Sequence, residues 1–330
     1  MYDEPNPAAG LIHAQLLDGR GGSRQVESAE LATLQVGPGE SLWLHWDRSH
    51  PQAQAWLREQ SLLSGFACDL LLEENTRPRL LILPDEQLLL FLRGVNLNPG
   101  AEPEDMVAVR IFASASQVIS LRLRPLRATD EVLAELAQGI GPRSSGELLL
   151  RLTEAMTDKS DQLMTELSEQ LDTQEELMEL DERNHPEHQQ LLQVRRRAAG
   201  LRRFLAPQRD LYAQLSRTGF GWLGGLAEQW NELHNRLTRQ LEELEMLRER
   251  VSLVLESEHR RMSEGMNRTM YLLSIVTCFF LPLSFITGLL GINLGGMPGA
   301  EHPYGFFMAC VLIGVLALSQ WLLFRRLRWL

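Results

Sequence analysis

Two stretches near the C-terminus decide the fold: residues 271–290, YLLSIVTCFFLPLSFITGLL, and residues 304–324, YGFFMACVLIGVLALSQWLLF. They contain 20 and 21 residues, none of which is charged. At a rise of 1.5 Å per residue each would form a helix of roughly 30 Å, the thickness of the hydrocarbon core of a bilayer. A pair of buried helices in a soluble core is the alternative, but uncharged runs of this length are rare there. The sequence therefore predicts two membrane-spanning helices, residues 271–291 and 304–324.

Positive charge is unevenly distributed around these spans. Three arginines precede the first span and three follow the second, namely Arg260, Arg261, Arg268, Arg325, Arg326 and Arg328. The connecting loop, residues 292–303, contains no Lys or Arg and one acid, Glu301. The positive-inside rule then places both termini and the basic tail, residues 325–330, in the cytoplasm, and the loop on the periplasmic side of a bacterial-type inner membrane.

The remaining composition excludes several classes of protein. The 330 residues carry a formal net charge of −11, which argues against nucleic acid as a partner. From Arg268 onward four arginines and one glutamate give +3, so residues 1–267 carry −14 and would attract cations. The three cysteines have no disulfide, zinc-finger or redox spacing. No nucleotide loop, HExxH helix or catalytic triad is recognisable, so we expect neither an enzyme nor a resident cofactor.

Residues 1–128 are expected to form a cytoplasmic α/β domain. Short apolar runs bounded by turn residues predict five strands, at residues 41–46, 79–83, 88–92, 107–112 and 118–123. A helix is predicted over residues 52–63, after Pro51. The fold class is therefore α+β with a membrane part, comprising an α/β domain, a long helical stalk and two transmembrane helices per subunit.

Residues 129–218 are predicted to form a helical hairpin. Residues 158–187 contain 11 acids and two bases, and five arginines follow Pro186, at positions 195, 196, 197, 202 and 203. An acidic helix would pack antiparallel to a basic one with some charge complementarity. The acidic residues are interpreted either as a solvated helix face or as a surface that gathers regulatory cations.

A stalk helix is predicted over residues 219–270, continuing into the membrane. Its apolar residues recur at intervals of three or four, at Leu226, Trp230, Leu233, Leu237, Leu241, Leu244, Leu247, Val251 and Val254. A helix from residue 225 to residue 291 would be roughly 100 Å long.

The first span ends in FLPLSFITGLLGIN, residues 280–293, a pattern that resembles the CorA family of divalent-cation transporters. The family's first span ends in Gly-Met-Asn, whereas here Ile292 replaces Met and Leu290 stands where Tyr is usual. The following LGGMPG, residues 294–299, is similar to the loop of the family's ZntB zinc-transporter branch, and the basic end, RRLRWL, also looks like the family's C-terminus. The resemblance covers about residues 267–330. It implies a homopentameric funnel in the lipid bilayer, with five copies of the first span lining the pore.

Gly291, Ile292 and Asn293 form the predicted selectivity motif. Gly291 would let the helix end, and five Asn293 amides would give a neutral ring of oxygen acceptors suited to a hydrated cation. Glu301 and His302 in the loop could concentrate cations, and His302 could also bind zinc or a proton. The alternative is that both are solvated loop residues. Any metal contact of Asn293 or Glu301 is expected to pass through water.

Counting back from Asn293 in steps of three, four and nine residues gives a predicted pore face, which comprises Ser284, Leu281, Thr277, Leu273, Met270 and Asn267. This face contains no carboxylate, His or Cys, and Cys278 lies about 100° away from Thr277. Dehydrated zinc prefers Cys and His ligands, so the ion is expected to keep most of its water.

The sequence is interpreted as a zinc transporter whose uptake is coupled to protons. Cd²⁺, Ni²⁺, Co²⁺ and Mg²⁺ are further candidate cargoes. A magnesium/cobalt channel, or zinc efflux through the same pore, is the alternative within the class. A membrane-anchored cytoplasmic scaffold or signalling protein is the alternative outside it, although an anchor would need neither Asn293 nor a polar face.

Overall fold

A seven-stranded sheet organises the part of the protein before the membrane helices. The computed structural model describes residues 10–74, 76–180, 187–292 and 302–327. In the described part, the strands are β1 (Leu11–Leu17), β2 (Ser23–Gln25), β3 (Ser41–Asp47), β4 (Arg79–Leu83), β5 (Gln87–Gly94), β6 (Val107–Ala113) and β7 (Gln117–Arg122). Their order is β2-β1-β3-β7-β6-β5-β4. β3 pairs with β7 in parallel, and the other neighbours are antiparallel.

The five strands predicted from apolar runs are confirmed as β3 to β7. The prediction missed β1 and β2. In β1 the polar residues His13 and Gln15 interrupt the apolar run, and β2 has only three residues, SRQ. Both strands depend on pairing, because β1 forms antiparallel ladders with β2 on one side and with β3 on the other.

The helix predicted at residues 52–63 is shorter in the structure, and a second helix follows it. The two helices are α1 (Pro51–Glu59) and α2 (Gly65–Leu72). Leu62 lies between them with a left-handed φ of 61°, a conformation that ends a helix. Side chains cap both N-termini, since His50 accepts the N–H of Gln52 and Ser64 accepts the N–H of Ala67.

The sheet is covered on both faces, which explains why its central strands read as continuous apolar runs. In β5, Leu88, Leu90 and Leu92 contribute to a core shared with the long helices. Leu89 and Phe91, which alternate with them, contribute to a second core shared with α1 and α2. Successive side chains of a strand point to opposite faces, so one strand contributes to both cores.

The remaining helices are α3 (Arg127–Gln138), α4 (Ser145–Leu180), α5 (His188–Leu215), α6 (Ala227–Leu290) and α7 (Gly305–Arg326). The contacts group Met1–Leu255 into one compact unit and Glu256–Leu330 into another. The α/β region and the helical hairpin, predicted as successive regions, therefore share one core. The stalk helix begins at Ala227, eight residues later than predicted, because a 3₁₀ turn at Gly221–Leu223 precedes it.

The apolar stripe predicted for the stalk is confirmed. Eight of its nine residues are buried on α6, from Trp230 to Val254, and Leu226 packs against the same core just before the helix begins. An interval of three or four residues keeps these side chains on one face.

The acidic residues of α4 pair differently from the prediction. Arg236 of α6 forms ion pairs with Asp158 (2.7 Å) and Asp161 (2.5 Å). Arg250 of α6 pairs with Asp172 (2.5 Å) and also with Glu175. The charge complementarity expected between α4 and α5 is thus found, in the described residues, between α4 and α6.

The core contribution of Trp230 can be tested by truncation. Its side chain is fully buried and lies 5.8 Å from the Tyr212 ring, while its indole N–H has no partner. We expect Trp230→Ala to destabilise the fold by about 3–5 kcal/mol, lowering the Tm of the purified protein in detergent by at least about 6 °C. Trp230→Phe, which keeps a ring and removes the unpaired N–H, is the control and should lower Tm by less than about 3 °C. Equal losses in the two variants would contradict this account.

Candidate functional site

The two apolar stretches form helices that are long and apolar enough to cross a membrane. They are the C-terminal part of α6 and the whole of α7, and neither apolar segment is buried in the protein. The alternative of a buried helix pair in a soluble core is therefore wrong. Within this unit the Phe279 and Phe324 rings approach to 6.3 Å, and Phe324 is buried.

The predicted pore face lies on α6. Met270, Leu273, Thr277, Leu281 and Ser284 fall within roughly 80° of one another around the helix. Asn267, one turn earlier, widens this sector to about 120°. All six side chains are exposed in the single chain. A face with both polar and apolar side chains is thus available on α6 for contact with a partner or with water.

Thr277 lies in a shallow groove of about 460 Å³ on α6. The groove is lined by Leu273, Ser274, Thr277, Cys278, Leu281 and Pro282. The Thr277 hydroxyl donates to the Leu273 carbonyl at 2.8 Å, which leaves its oxygen lone pairs as acceptors. Cys278 lines the same groove, although the helical count places it about 100° from Thr277.

Pro282 adds a feature that the sequence-based prediction did not use. It lies inside α6 and has no N–H to donate to the carbonyl of Cys278, four residues earlier. A carbonyl without its usual helical donor therefore lies close to Thr277. A proline within an uncharged run is the feature of the sequence from which this free carbonyl acceptor could have been predicted.

The helix ends at Leu290, immediately before the predicted selectivity motif. The Gly291 N–H donates to the carbonyls of Thr287 (3.0 Å) and Gly288 (3.2 Å), and the Ile292 N–H lies 3.4 Å from the Leu289 carbonyl. A Cβ at Gly291 would lie 3.3 Å from the Thr287 oxygen, which favours glycine at this position.

The helical count that linked Asn293 to Ser284 needs correction. Nine residues turn an α-helix by about 900°, which is half a turn out of phase. In addition, α6 has already ended at Leu290. The predicted pore face is therefore restricted to α6, without Asn293, and it stays a prediction. Asn293 lies outside the described residues, as does Glu301.

His302 has a local structural role just before α7. Its Nδ1 accepts the N–H of Tyr304 at 3.3 Å, and the two rings are 6.0 Å apart. The side chain is exposed. In the described part of the chain, no group of three or more His, Cys, Asp or Glu side chains could hold a metal ion. The predicted water-mediated contacts of Asn293 and Glu301 stay predictions.

The orientation of α6 can be tested by thiol labelling. Cys278 and Cys310 are both exposed in the single chain. We expect Thr277→Cys, in a Cys278→Ser and Cys310→Ser background, to react much faster with a charged aqueous thiol reagent than native Cys278 with Cys310→Ser alone, because only the pore face meets water. The measurement is the labelling rate of each variant in proteoliposomes, followed by mass spectrometry. Fast labelling of Cys278 together with no labelling of Thr277→Cys would contradict the predicted pore face and would place the water-exposed side of α6 about 100° away.

Known proteins resemble this chain over nearly its whole length. The family model described as "CorA-like Mg2+ transporter protein" matches residues 39–326. The "Divalent cation transporter CmaX" of Pseudomonas aeruginosa is 60% identical over 328 residues, 99% of both chains. The "Zinc transport protein ZntB" of Pectobacterium carotovorum is 34% identical over 326 residues, 98% of this chain and 97% of that protein.

Solved structures share the fold. The structure of full-length CmaX has a TM-score of 0.89 at 60% identity, covering 97% of this chain and 98% of that one. The CorA magnesium transporter of Methanocaldococcus jannaschii has a TM-score of 0.80 at 17% identity, covering 96% and 98%, which is a likeness of fold alone. The family match and the full-length relatives agree with the two apolar helices and the α/β sheet: the chain belongs to the CorA-like Mg²⁺ transporter family.

Proposed function

We propose that this chain transports divalent metal cations across a membrane, with Zn²⁺ as the cargo. The observation that carries the proposal is the uncharged C-terminal segment of α6, which ends at Leu290 and has a mixed polar and apolar face, in a chain 60% identical to a named divalent cation transporter. Because the chain belongs to a transporter family, we expect it to move its substrate without changing it chemically.

Zinc is favoured over magnesium by the end of the first span. Ile292 stands where the resembled family has Met, and relatives named as zinc transport proteins are 34% identical over almost the whole chain. The relative at 60% identity is named only as a divalent cation transporter. A magnesium or cobalt channel is therefore the second candidate, and uptake coupled to protons is proposed over efflux.

The pathway is proposed to lie at the centre of a homopentamer. Two helices per chain cannot enclose a pore, so several chains must contribute. The exposed apolar side chains along α6 and α7 need lipid or neighbouring helices to cover them. The arginines at residues 260, 261, 268, 325, 326 and 328 favour cytoplasmic termini in an inner membrane.

The chemistry of the pore face supports passage of a hydrated ion. Thr277, Ser284 and Asn267 offer neutral oxygen acceptors, whereas Met270, Leu273 and Leu281 offer constrictions that could close by losing water. Neutral oxygens hold water-coated cations without removing their hydration shells. A Glu301 ring at the outer mouth would raise the local cation concentration, and the acidic cytoplasmic part would attract ions on the other side.

Metal flux into proteoliposomes tests the proposal. The purified protein, reconstituted without other proteins, should take up radiolabelled zinc faster when the outside is acidic than when both sides have the same pH. Zinc should enter faster than magnesium at equal concentration. Faster magnesium flux, indifferent to the pH gradient, would support the channel alternative. Flux of neither metal above protein-free vesicles would support a membrane anchor.

The role of Asn293 is tested by removing its amide. Asn293→Ala should reduce zinc flux to near the protein-free background, because it deletes an oxygen acceptor from every subunit with little loss of packing. Asn293→Asp is the matched variant and should retain part of the flux, since it keeps oxygen acceptors at the same position. Size-exclusion chromatography with light scattering checks that both variants assemble. Undiminished flux through assembled Asn293→Ala would refute the proposed ring.

A further inference from the structure

An arginine-lined cavity lies in the unit Met1–Leu255. Its volume is about 570 Å³. Six arginines line it, from the β3–α1 turn, from β5 and β6, from the segment after β7, and from α5, namely Arg48, Arg93, Arg110, Arg124, Arg196 and Arg203. So many guanidinium groups around one cavity in a protein of net charge −11 call for a physical explanation.

Arg110 is the buried member of this group, with only 1% of its surface exposed. Its Nη2 donates to the backbone carbonyls of Glu73 and Glu74, the latter at 3.1 Å. Its Nε and Nη1 are buried without a hydrogen-bond partner, and so is the Nε of Arg48. Buried donors of a charged group that bond to nothing are costly, and an acceptor in the cavity would remove that cost.

The carboxylates near the cavity form no ion pair with these arginines in the described residues. Three line it, at Glu74, Glu104 and Asp105. Glu104 Oε2 lies 3.6 Å from Arg197 Nε, which belongs to a residue outside the lining. In the ion pairs that the structure describes, none of the six arginines has a carboxylate partner. Burial, together with Arg48 and Arg93 nearby, lowers the pKa of Arg110 to about 10, so it keeps its charge at neutral pH.

Of the other arginines in the lining, Arg93 is held in the wall of the cavity, whereas Arg196 and Arg203 are accessible to a ligand. Arg93 donates to the carbonyls of Met106 (3.0 Å) and Thr76 (2.8 Å), and its guanidinium lies 4.9 Å from the centre of the Phe204 ring. These contacts hold it in the wall. Arg196 and Arg203 of α5 line the cavity with exposed side chains, which a ligand entering from solvent would meet.

We propose that this cavity binds a small phosphate-bearing metabolite. The guanidinium fork matches phosphate oxygens with two parallel hydrogen bonds, and arginine is the side chain of choice for that geometry. The volume of the cavity is large enough for a small organic ligand and is much larger than that of a single halide ion. An occupant would contact strands β5 and β6 and helix α5 together, and so would stabilise this unit. The proposal concerns a site apart from the ion pathway and does not depend on which metal is carried.

Binding to the full-length protein in detergent is the test. Pyrophosphate and ATP serve as probes, with EDTA present so that neither acts through a bound metal, and potassium chloride at matched ionic strength is the reference. We expect saturable binding by calorimetry, one probe molecule per chain, and a higher Tm with the probe than with chloride. Equal Tm shifts from chloride would show general ion screening and overturn the proposal.

The neighbouring arginines Arg195 and Arg196 provide a matched pair of variants. Both are exposed on α5, but only Arg196 lines the cavity. Arg196→Gln and Arg203→Gln should each weaken pyrophosphate binding about tenfold, the effect of losing one charge-assisted hydrogen bond. Arg195→Gln should change it less than about twofold, the shift expected for one screened surface charge. Arg110→Met should abolish pyrophosphate binding. If this variant fails to fold, the Arg196→Gln and Arg203→Gln variants still test the site, because both residues are exposed. Equal weakening by Arg195→Gln and Arg196→Gln would contradict a defined site.

Discussion

A chain that crosses a bilayer must satisfy its backbone N–H and C=O groups within each spanning segment, because hydrocarbon offers no partner. Residues 271–290 of α6 and 305–324 of α7 meet this demand as uncharged helical segments. The exceptions are informative. Pro282 withholds one helical donor, and Gly291 ends the helix with N–H groups still bonded to the carbonyls of Thr287 and Gly288. Of the two positions, Pro282 is the one that leaves a carbonyl, that of Cys278, without its usual helical donor.

The same helix obeys a different rule before residue 256. There α6 buries one stripe, from Trp230 to Val254, and presents arginines to the acids of α4. Burying that stripe stabilises the helix through its contact with the core shared by α4, α5 and the sheet. One helix thus contains a segment packed in the protein core, which ends at Val254, and a later uncharged segment, residues 269–290, which is apolar enough to cross a membrane.

The electrostatics of the unit Met1–Leu255 combine two opposite local environments. Acidic side chains dominate α4 and give this part its negative charge, which suits a protein that gathers cations. The arginine-lined cavity concentrates positive charge around Arg110, where burial leaves two donors unpaired. Long-range attraction depends on the total charge, whereas binding in a cavity depends on the groups within a few ångströms. A cation transporter can therefore contain an anion site without contradiction.

Local patterns of apolar residues were sufficient to predict the two apolar helices, the strands β3 to β7 and the buried stripe of α6. The predicted pore face from Met270 to Ser284 likewise follows from the helical period alone. That β1 and β2 join the sheet is visible only in the fold, because their polar residues are stabilised by ladder pairing with neighbours distant in sequence. The pairing of α4 with α6 is likewise visible only there, since ion pairs depend on which helices meet. Arg110 inside the apolar run VAVRIF was a visible anomaly in the sequence. Its five companions in the cavity come from segments up to 155 positions apart, Arg48 to Arg203, and folding alone brings them together.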